Sequence, residues 1–143
     1  MMTQFDFGDG PVPAHQHANG GGWVADTASV AVTAYVGPDA RVYGNARVSG
    51  NVRVSGDAHV FGDAWVSGDA HVYGNARVFD NARVFDDAQV FDNAWVFGDA
   101  QAYGNAQAYG NAWVSGNARV FDDAQVFDNA WVYGMPWQCS GHG

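Results

Sequence analysis

The sequence predicts an all-β solenoid: a parallel β-helix of six triangular coils, each formed by three hexapeptides. An aliphatic residue recurs every six positions at nineteen sites, from Val24 to Val132. The chain contains no Leu, Ile, Glu or Lys, so most strong helix formers are missing, whereas Val, Tyr, Phe and Trp are abundant. The segment 81–96 recurs identically as 117–132, a shift of 36, or twice 18.

The repeated unit is Val-x-Gly/Asp-Asn/Asp-Ala-x, and each position has a physical role. Alternate side chains of a strand point to opposite faces, so the Ala and the Val that flank the variable residue both face inward in a predicted three-residue strand. Ala follows four positions after each of the first eighteen aliphatic sites, except at Val52, because a narrow prism has little room for two large side chains per face. Gly, Asn and Asp enter left-handed backbone conformations at low cost, which suits the corners.

Three repeats per coil close a triangular prism with one strand on each face. Six steps of eighteen positions lead from Val24 to Val132, so the segment from Val24 to Trp131 gives six coils. With neighbouring strands ~4.8 Å apart, the rod is about 29 Å long. Ala102 and Ala108 occupy two consecutive core positions, so we expect their coil to be the least well packed.

The ends of the repeat predict caps, because a terminal coil presents unpaired strand edges that recruit other chains unless they are covered. We predict an N-terminal cap at residues 1–22, the solenoid at residues 23–134 and a C-terminal cap or tail at residues 135–143. At the second end we expect Met135, Pro136 and Trp137 to cover the last coil, since proline cannot continue a ladder of backbone hydrogen bonds.

Composition narrows the classes of function. A formal net charge of -9, with six Arg and no Lys, argues against a nucleic-acid partner. The single cysteine, Cys139, cannot form a disulfide within the chain, so the fold does not depend on an oxidising compartment. We expect no signal peptide, since residues 1–10 contain no basic run followed by an apolar stretch, and no apolar segment of ~20 residues occurs. We therefore expect no membrane contact, and a location in the cytoplasm or in a virion.

The outward-facing residues form three columns at steps of eighteen. The first column contains Trp23, Arg41, His59, Arg77, Trp95, Trp113 and Trp131. The second contains Ser29, Arg47, Trp65, Arg83, Gln101 and Arg119, and the third contains Tyr35, Arg53, His71, Gln89, Gln107 and Gln125. Trp95, Trp113 and Trp131, the aromatic strip, are predicted to stack directly. An exposed strip marks contact with a partner protein, a second copy or a carbohydrate, whereas the alternative is a ladder that only stabilises the solenoid.

Two further sets of side chains have structural interpretations that we favour. The aromatic residues that follow the core valine are expected to pack between coils: Phe79, Phe85, Phe91, Phe97, Tyr103, Tyr109, Phe121 and Phe127. Carboxylates are concentrated at the corners, at Asp86, Asp87, Asp92, Asp122, Asp123 and Asp128. Oxygen-rich clusters can bind calcium, but aspartate also suits the corner conformation, and we favour turn formation.

The histidines give only weak candidates for a metal site. His59 and His71 are twelve positions apart, so they are predicted to lie on different faces and cannot share one ion. A catalytic zinc needs three protein ligands. His15 and His17 form a two-ligand candidate in the N-terminal segment, where a surface cap is the favoured interpretation. We expect no cofactor.

The segment 24–132 resembles the hexapeptide-repeat proteins that fold as left-handed parallel β-helices, which include sugar-nucleotide acyltransferases, serine acetyltransferases and γ-class carbonic anhydrases. The resemblance implies left-handed coils, although the general rule for parallel crossovers favours the right-handed form. A narrower likeness is to bacterial and phage repeat proteins, in which a segment like Gly21-Gly22-Trp23-Val24 opens the first coil and Gly-Asn-Ala-Arg-Val-type units follow.

The resemblance implies enzyme activities whose parts this chain does not match. Acyltransferases of the superfamily use a histidine base and loops that protrude from the coils, whereas this repeat has no insertion. The carbonic anhydrases use three converging histidines. We therefore predict no catalytic residues and a structural or interaction solenoid, as a component of a phage particle or a surface assembly. The alternatives are an acyltransferase-like or γ-carbonic-anhydrase-like enzyme, and a polysaccharide-binding surface protein.

Overall fold

A computed structural model describes residues 3–133 and the backbone of residues 138–140. In these residues there is no helix, and 22 strands form three sheets, which are the three faces of a solenoid. The predicted parallel β-solenoid, with about six coils and a repeat of eighteen positions, is confirmed. No helix within the described ranges is long and apolar enough to cross a membrane.

The strands are given by sheet, from the N-terminal end of the axis. Sheet 1 contains β1 (Gln4–Asp6), β2 (Pro11–Gln16), β3 (Trp23–Ala25), β6 (Arg41–Val42), β9 (His59–Val60), β12 (Arg77–Val78), β15 (Trp95–Val96), β18 (Trp113–Val114) and β21 (Trp131–Val132). Sheet 2 contains β4 (Ser29–Val30), β7 (Arg47–Val48), β10 (Trp65–Val66), β13 (Arg83–Val84), β16 (Gln101–Ala102), β19 (Arg119–Phe121) and β22 (Gln138–Ser140). Sheet 3 contains β5 (Tyr35–Val36), β8 (Arg53–Val54), β11 (His71–Val72), β14 (Gln89–Val90), β17 (Gln107–Ala108) and β20 (Gln125–Val126).

The register between coils is constant throughout the parallel stack from β3 to β21, because each strand residue pairs with the residue eighteen positions later. Arg41, for example, is the partner of His59, and the Arg41 N–H donates to the Ala58 carbonyl oxygen at 3.0 Å. The predicted columns are therefore columns of the structure. Most strands span two residues rather than three, because the preceding alanine contributes its carbonyl as an acceptor without itself pairing as a strand residue.

The core consists of valine and alanine, as predicted. Every aliphatic position from Val36 to Val126 and every Ala-type position from Ala34 to Ala124 is at most 2% exposed. Burying a valine stabilises the fold by roughly 1.5 kcal/mol. At the C-terminal end this burial weakens, since Ala130 is exposed and Val132 is only partly buried.

The corners use one left-handed residue each. From Gly44 onward, the first residue of each corner pair has φ between 56° and 70°, whether it is Gly or Asp. A Cβ on Gly44 would lie 2.9 Å from the Gly62 nitrogen, so glycine also permits close stacking there. Left-handed aspartate costs roughly 1 kcal/mol. Asp80 offsets this cost by accepting the N–H of Gly98 in the next coil at 3.1 Å, and Asp86 and Asp92 make the same contact in their columns.

An antiparallel hairpin extends the first coil. β1 pairs with β2, which pairs antiparallel with β3, so two strands are added to the N-terminal edge of sheet 1. The following loop covers sheet 3, where the Val36 N–H donates to the Asn19 carbonyl at 3.0 Å. A Cβ on Gly22 would lie 2.2 Å from the Gly37 oxygen, which explains a glycine at this approach. Val32, at the corner beyond β4 of sheet 2, is 86% exposed.

The C-terminal end carries one further strand. β22 pairs in parallel with β19, and Arg119 is the partner of Gln138, which is one position further along the chain than the register of the coils would give. Met135, Pro136 and Trp137, the predicted cover of the last coil, lie outside the described residues.

Candidate functional site

The aromatic strip lies on the outer face of sheet 1 and contains two different ring geometries. Trp95 and Trp113 are stacked, with centroids 5.2 Å apart and planes at 7°. The prediction of direct stacking is wrong for the second pair: Trp113 and Trp131 meet edge to face, at 5.5 Å and 78°. The cause is Ser115, whose Oγ accepts a hydrogen bond from Trp131 Nε1 at 2.8 Å and thereby turns the indole.

The stacking determines which ring faces are open. One face of Trp113 lies against Trp95, and the Arg77 guanidinium lies 5.6 Å from the Trp95 centroid. A sugar binds an aromatic side chain through the ring face, so the Trp95–Trp113 stack presents mainly ring edges to a ligand. Trp131 is the most exposed member of the strip at 57%. It contacts Tyr133, which is 58% exposed, at a centroid distance of 5.0 Å.

The same column is covered at its N-terminal end. Phe5 of the hairpin stacks on Trp23 at 4.8 Å and 19°, and the Arg41 guanidinium lies 4.7 Å from the Phe5 centroid. Phe7 stacks on Tyr43 at 4.8 Å. The hairpin therefore covers the first aromatic side chains of sheet 1 with its own.

The corner aromatic residues pack between coils, as predicted. They form three columns with nearly parallel rings, in which Phe79 and Phe97 are typical, with centroids 5.0 Å apart at 2°. The columns are Tyr43–Phe61–Phe79–Phe97, Phe85–Tyr103–Phe121 and Tyr73–Phe91–Tyr109–Phe127. Pairs of this geometry contribute ~0.5–1.5 kcal/mol each beyond their burial.

The repeat histidines lie on different sheets, as expected, His59 in β9 and His71 in β11. His59 Nδ1 is 3.1 Å from the Tyr43 hydroxyl. Burial lowers the pKa of His59, and the neighbouring Arg77 and Arg41 lower it further. Such a histidine remains neutral near pH 7, and the flanking guanidiniums disfavour a cation at this position.

The two histidines of the N-terminal segment have different partners. His15 Nδ1 lies 2.7 Å from Asp26 Oδ1, within hydrogen-bond distance, whereas His17 is buried and its Nε2 lies 2.8 Å from the Ala34 carbonyl oxygen. Each ring is therefore held by its own contact. Within residues 3–133, no three His, Cys, Asp or Glu side chains are grouped to hold a metal ion.

Sequence reasoning placed Trp65 in the second column without assigning it a site. In the structure Trp65 is 40% exposed and lies between two guanidiniums, Arg47 at 5.9 Å and Arg83 at 5.4 Å from its centroid. A groove of about 670 Å³ opens beside it. The signal available in the sequence was an arginine one coil away on either side of a single tryptophan.

Comparison with known proteins supports the assignment of a β-solenoid repeat and gives no information about a ligand. A family model described as YdcK Beta solenoid repeat matches residues 40–56 and 70–86. Comparison with the curated proteins and with the solved structures finds no match. The chain is thus similar to a β-solenoid repeat family over these two segments.

Proposed function

We propose that this protein is a non-catalytic structural solenoid that self-associates through the C-terminal end of sheet 1. The observation that carries the proposal is the difference in cover along one column. Trp23 lies beneath Phe5, whereas Trp131 and Tyr133 are 57% and 58% exposed. Large aromatic side chains in contact with one another on an exposed surface are typical of protein interfaces.

The last coil also offers strand edges. Among the described residues, β21 and β20 are the outermost strands of sheets 1 and 3 at this end. Ala130 and Val132 occupy core positions of the repeat, but at this end Ala130 is exposed and Val132 is only partly buried. A second copy presents the same edges of β20 and β21, so two copies can meet end to end about a twofold axis and bury the same patch from both sides.

On sheet 1 the other end of the rod does not offer the same contact, because β2 occupies the edge of β3. An end-to-end contact at the C-terminal coil therefore closes after two copies, and we expect a dimer rather than a fibre. A rigid dimeric rod suits a component of a particle or surface assembly, the role that the phage-borne likeness of the repeat suggests.

The test is the mass of the protein in solution for wild type and Trp131→Gln, measured by sedimentation velocity and light scattering. We expect a dimer for wild type and a monomer for Trp131→Gln with unchanged circular dichroism. Trp65→Gln, at an exposed tryptophan on sheet 2, is the matched control and should remain dimeric. A monomeric wild type, or a dimer that survives Trp131→Gln, contradicts the proposal and leaves the strip as an internal ladder.

The proposal also includes the lack of catalysis. It is supported by the uninterrupted repeat and by the separation of His59 and His71 on two sheets. Calorimetry with acetyl coenzyme A should show no saturable heat, and metal analysis of the purified protein should show no stoichiometric zinc. Either signal would favour the enzyme alternatives instead. Virion genes beside the coding sequence would support the particle role.

A further inference from the structure

The groove beside Trp65 lies between two columns of outward side chains on the first three coils. One column is on sheet 2 and the other is at the adjoining corner. The lining side chains are Thr27, Ser29, Asn45, Arg47, Asp63 and Trp65. The groove has a volume of about 670 Å³, which is within the range of small-molecule sites.

Several groups in the groove are already held in position. The Trp65 ring is fixed between Arg47 and Arg83. Asn45 Nδ2 donates to Asp63 Oδ1 at 3.4 Å. The Thr27 hydroxyl donates to the Gly44 carbonyl oxygen. A site whose side chains are ordered before binding loses less entropy when a ligand arrives.

The charges in the groove are of opposite sign and are not paired with each other. Among residues 3–133, no aspartate oxygen lies within 4.0 Å of the Arg47 guanidinium. The Arg47 guanidinium is therefore available to a carboxylate, which it can bind through two parallel hydrogen bonds. Asp63 lies in the same groove and accepts hydrogen bonds, so it repels a second negative charge and favours hydroxyl groups.

We propose that this groove binds a carboxylated sugar, that is, a uronic acid residue. Its carboxylate pairs with Arg47, and its hydroxyls donate to Asp63 and contact Ser29. A uronic acid has one carboxylate and several hydroxyls. These groups match the one guanidinium and the one carboxylate that line the groove. Densely anionic polymers do not fit, because the formal net charge of -9 and the aspartate-bearing corners repel them.

The inference is independent of the proposed dimer, because the groove is on the first three coils and the aromatic strip ends on the last. It also separates two kinds of tryptophan surface. The Trp95–Trp113 stack presents ring edges, whereas Trp65 adjoins a cation, a carboxylate, an amide and two hydroxyls.

The experiment is titration of the full chain with glucuronic acid, followed by isothermal calorimetry and by chemical shifts of the indole N–H groups. Glucose and acetate are the probe controls, since each has only one half of the recognised chemistry. We expect saturable glucuronate binding, with glucose and acetate at least about tenfold weaker, as the loss of a hydrogen-bonded charge pair implies. No saturation by about 50 mM glucuronate would overturn the proposal, because affinity would then be below the millimolar range.

Variants locate the site. Arg47→Gln and Asp63→Asn should each weaken glucuronate binding by about tenfold or more. Arg119→Gln, in the same column but 72/18 = 4 coils away, is the matched control and should bind as wild type does. Equal loss in Arg47→Gln and Arg119→Gln would show diffuse charge attraction and reject the groove. Acetate that binds as tightly as glucuronate would also reject a sugar site. Thermal unfolding of each variant confirms that the fold is retained.

Discussion

The two ends of sheet 1 carry similar aromatic residues under different cover. At the N-terminal end Trp23 is partly buried beneath Phe5, whose ring lies 4.8 Å away. At the C-terminal end Trp131 is 57% exposed, and its plane is turned by 78° from that of Trp113. Inside a solenoid each coil is covered by its neighbours, so contacts with other molecules through strand edges depend on how each end is completed.

The hairpin completes the first end by a change of strand direction. β2 runs antiparallel to β3, and its register places His15 opposite Val24, unlike the constant register of the coils. A second copy that offers a parallel strand therefore does not find the continuation of the stack there. The last coil has no equivalent among the described residues of sheet 1.

Removing the cover at the N-terminal end of sheet 1 tests this difference, and the largest expected effect on stability is at Phe5. Phe5→Ala removes the ring that stacks on Trp23 and covers the Arg41 guanidinium, so we expect the free energy of unfolding to fall by about 2–3 kcal/mol. Urea unfolding followed by tryptophan fluorescence measures it. Val12 is the strand partner of Phe5 and is 39% exposed, so Val12→Ala should cost less than about 1 kcal/mol. Equal losses would show that the hairpin acts without the ring contact.

A second comparison is between two tryptophans of the aromatic strip, Trp95 and Trp131. Trp95 stacks on Trp113 and contacts Phe79 and Phe97 edge to face, so Trp95→Ala should lower the free energy of unfolding by about 2 kcal/mol. Trp131→Ala, measured in the monomer at low protein concentration, should lower it by about 0.5–1 kcal/mol. If the two losses are alike, exposure does not distinguish the middle of the strip from its end.

The core near the C-terminal half allows a smaller change in the opposite direction. Ala102 stacks between Val84 and Val120, and Ala102→Val restores the side chain that its column has elsewhere. We expect a gain of about 0.8 kcal/mol per added methylene equivalent, seen as a higher unfolding midpoint. Ala106→Val adds the same atoms at a fully buried Ala-type position and should instead cost about 1–3 kcal/mol. A gain in both variants would mean that the prism has spare volume throughout.

The smallest effect is a pH dependence in the covered half of the column. The pKa of folded His59 is lowered by burial, Arg77 and Arg41 from its ordinary value of 6.5, so the unfolded chain takes up the proton first. Stability from this group is present above pH 6.5 and is lost as the pH falls through 6.5 towards the folded value. His59→Gln should therefore flatten the loss of stability in that window, measured by urea unfolding at each pH. Arg77→Gln should give an intermediate slope, because burial is the largest cause; no change in either variant would exclude this origin.

The sequence is sufficient for the core and the columns because every hexapeptide carries the same pattern. Val at one position and Ala at another face inward in each repeat, so the register of the coils follows from closing three faces. The conformation of the corners could be predicted from the sequence only in part. A left-handed residue occurs only at the first position of each pair, and Asp26, Val32 and Pro38 of the first coil do not adopt it.

Features that depend on contacts outside the repeat could not be predicted in the same way. The orientation of the Trp131 ring depends on its hydrogen bond to Ser115. The sequence shows that Ser115 occupies the corner position that Phe97 occupies one coil earlier, but it does not show that this serine turns the ring. The antiparallel hairpin pairs residues without periodicity. The groove beside Trp65 forms where short side chains of two neighbouring columns lie side by side.

The constant register between coils has a consequence for how such a chain can change in length. Deleting three consecutive hexapeptides shortens the rod by one coil and leaves every column intact. Deleting one hexapeptide between His59 and Trp95 preserves the inward valines but turns everything downstream by one face, so Trp95, Trp113 and Trp131 would no longer share a face with Arg41 and His59. Deleting a single amino acid exchanges inside for outside in the strands that follow. Of these deletions within the repeat, only those that remove whole coils keep both the core and the surface pattern.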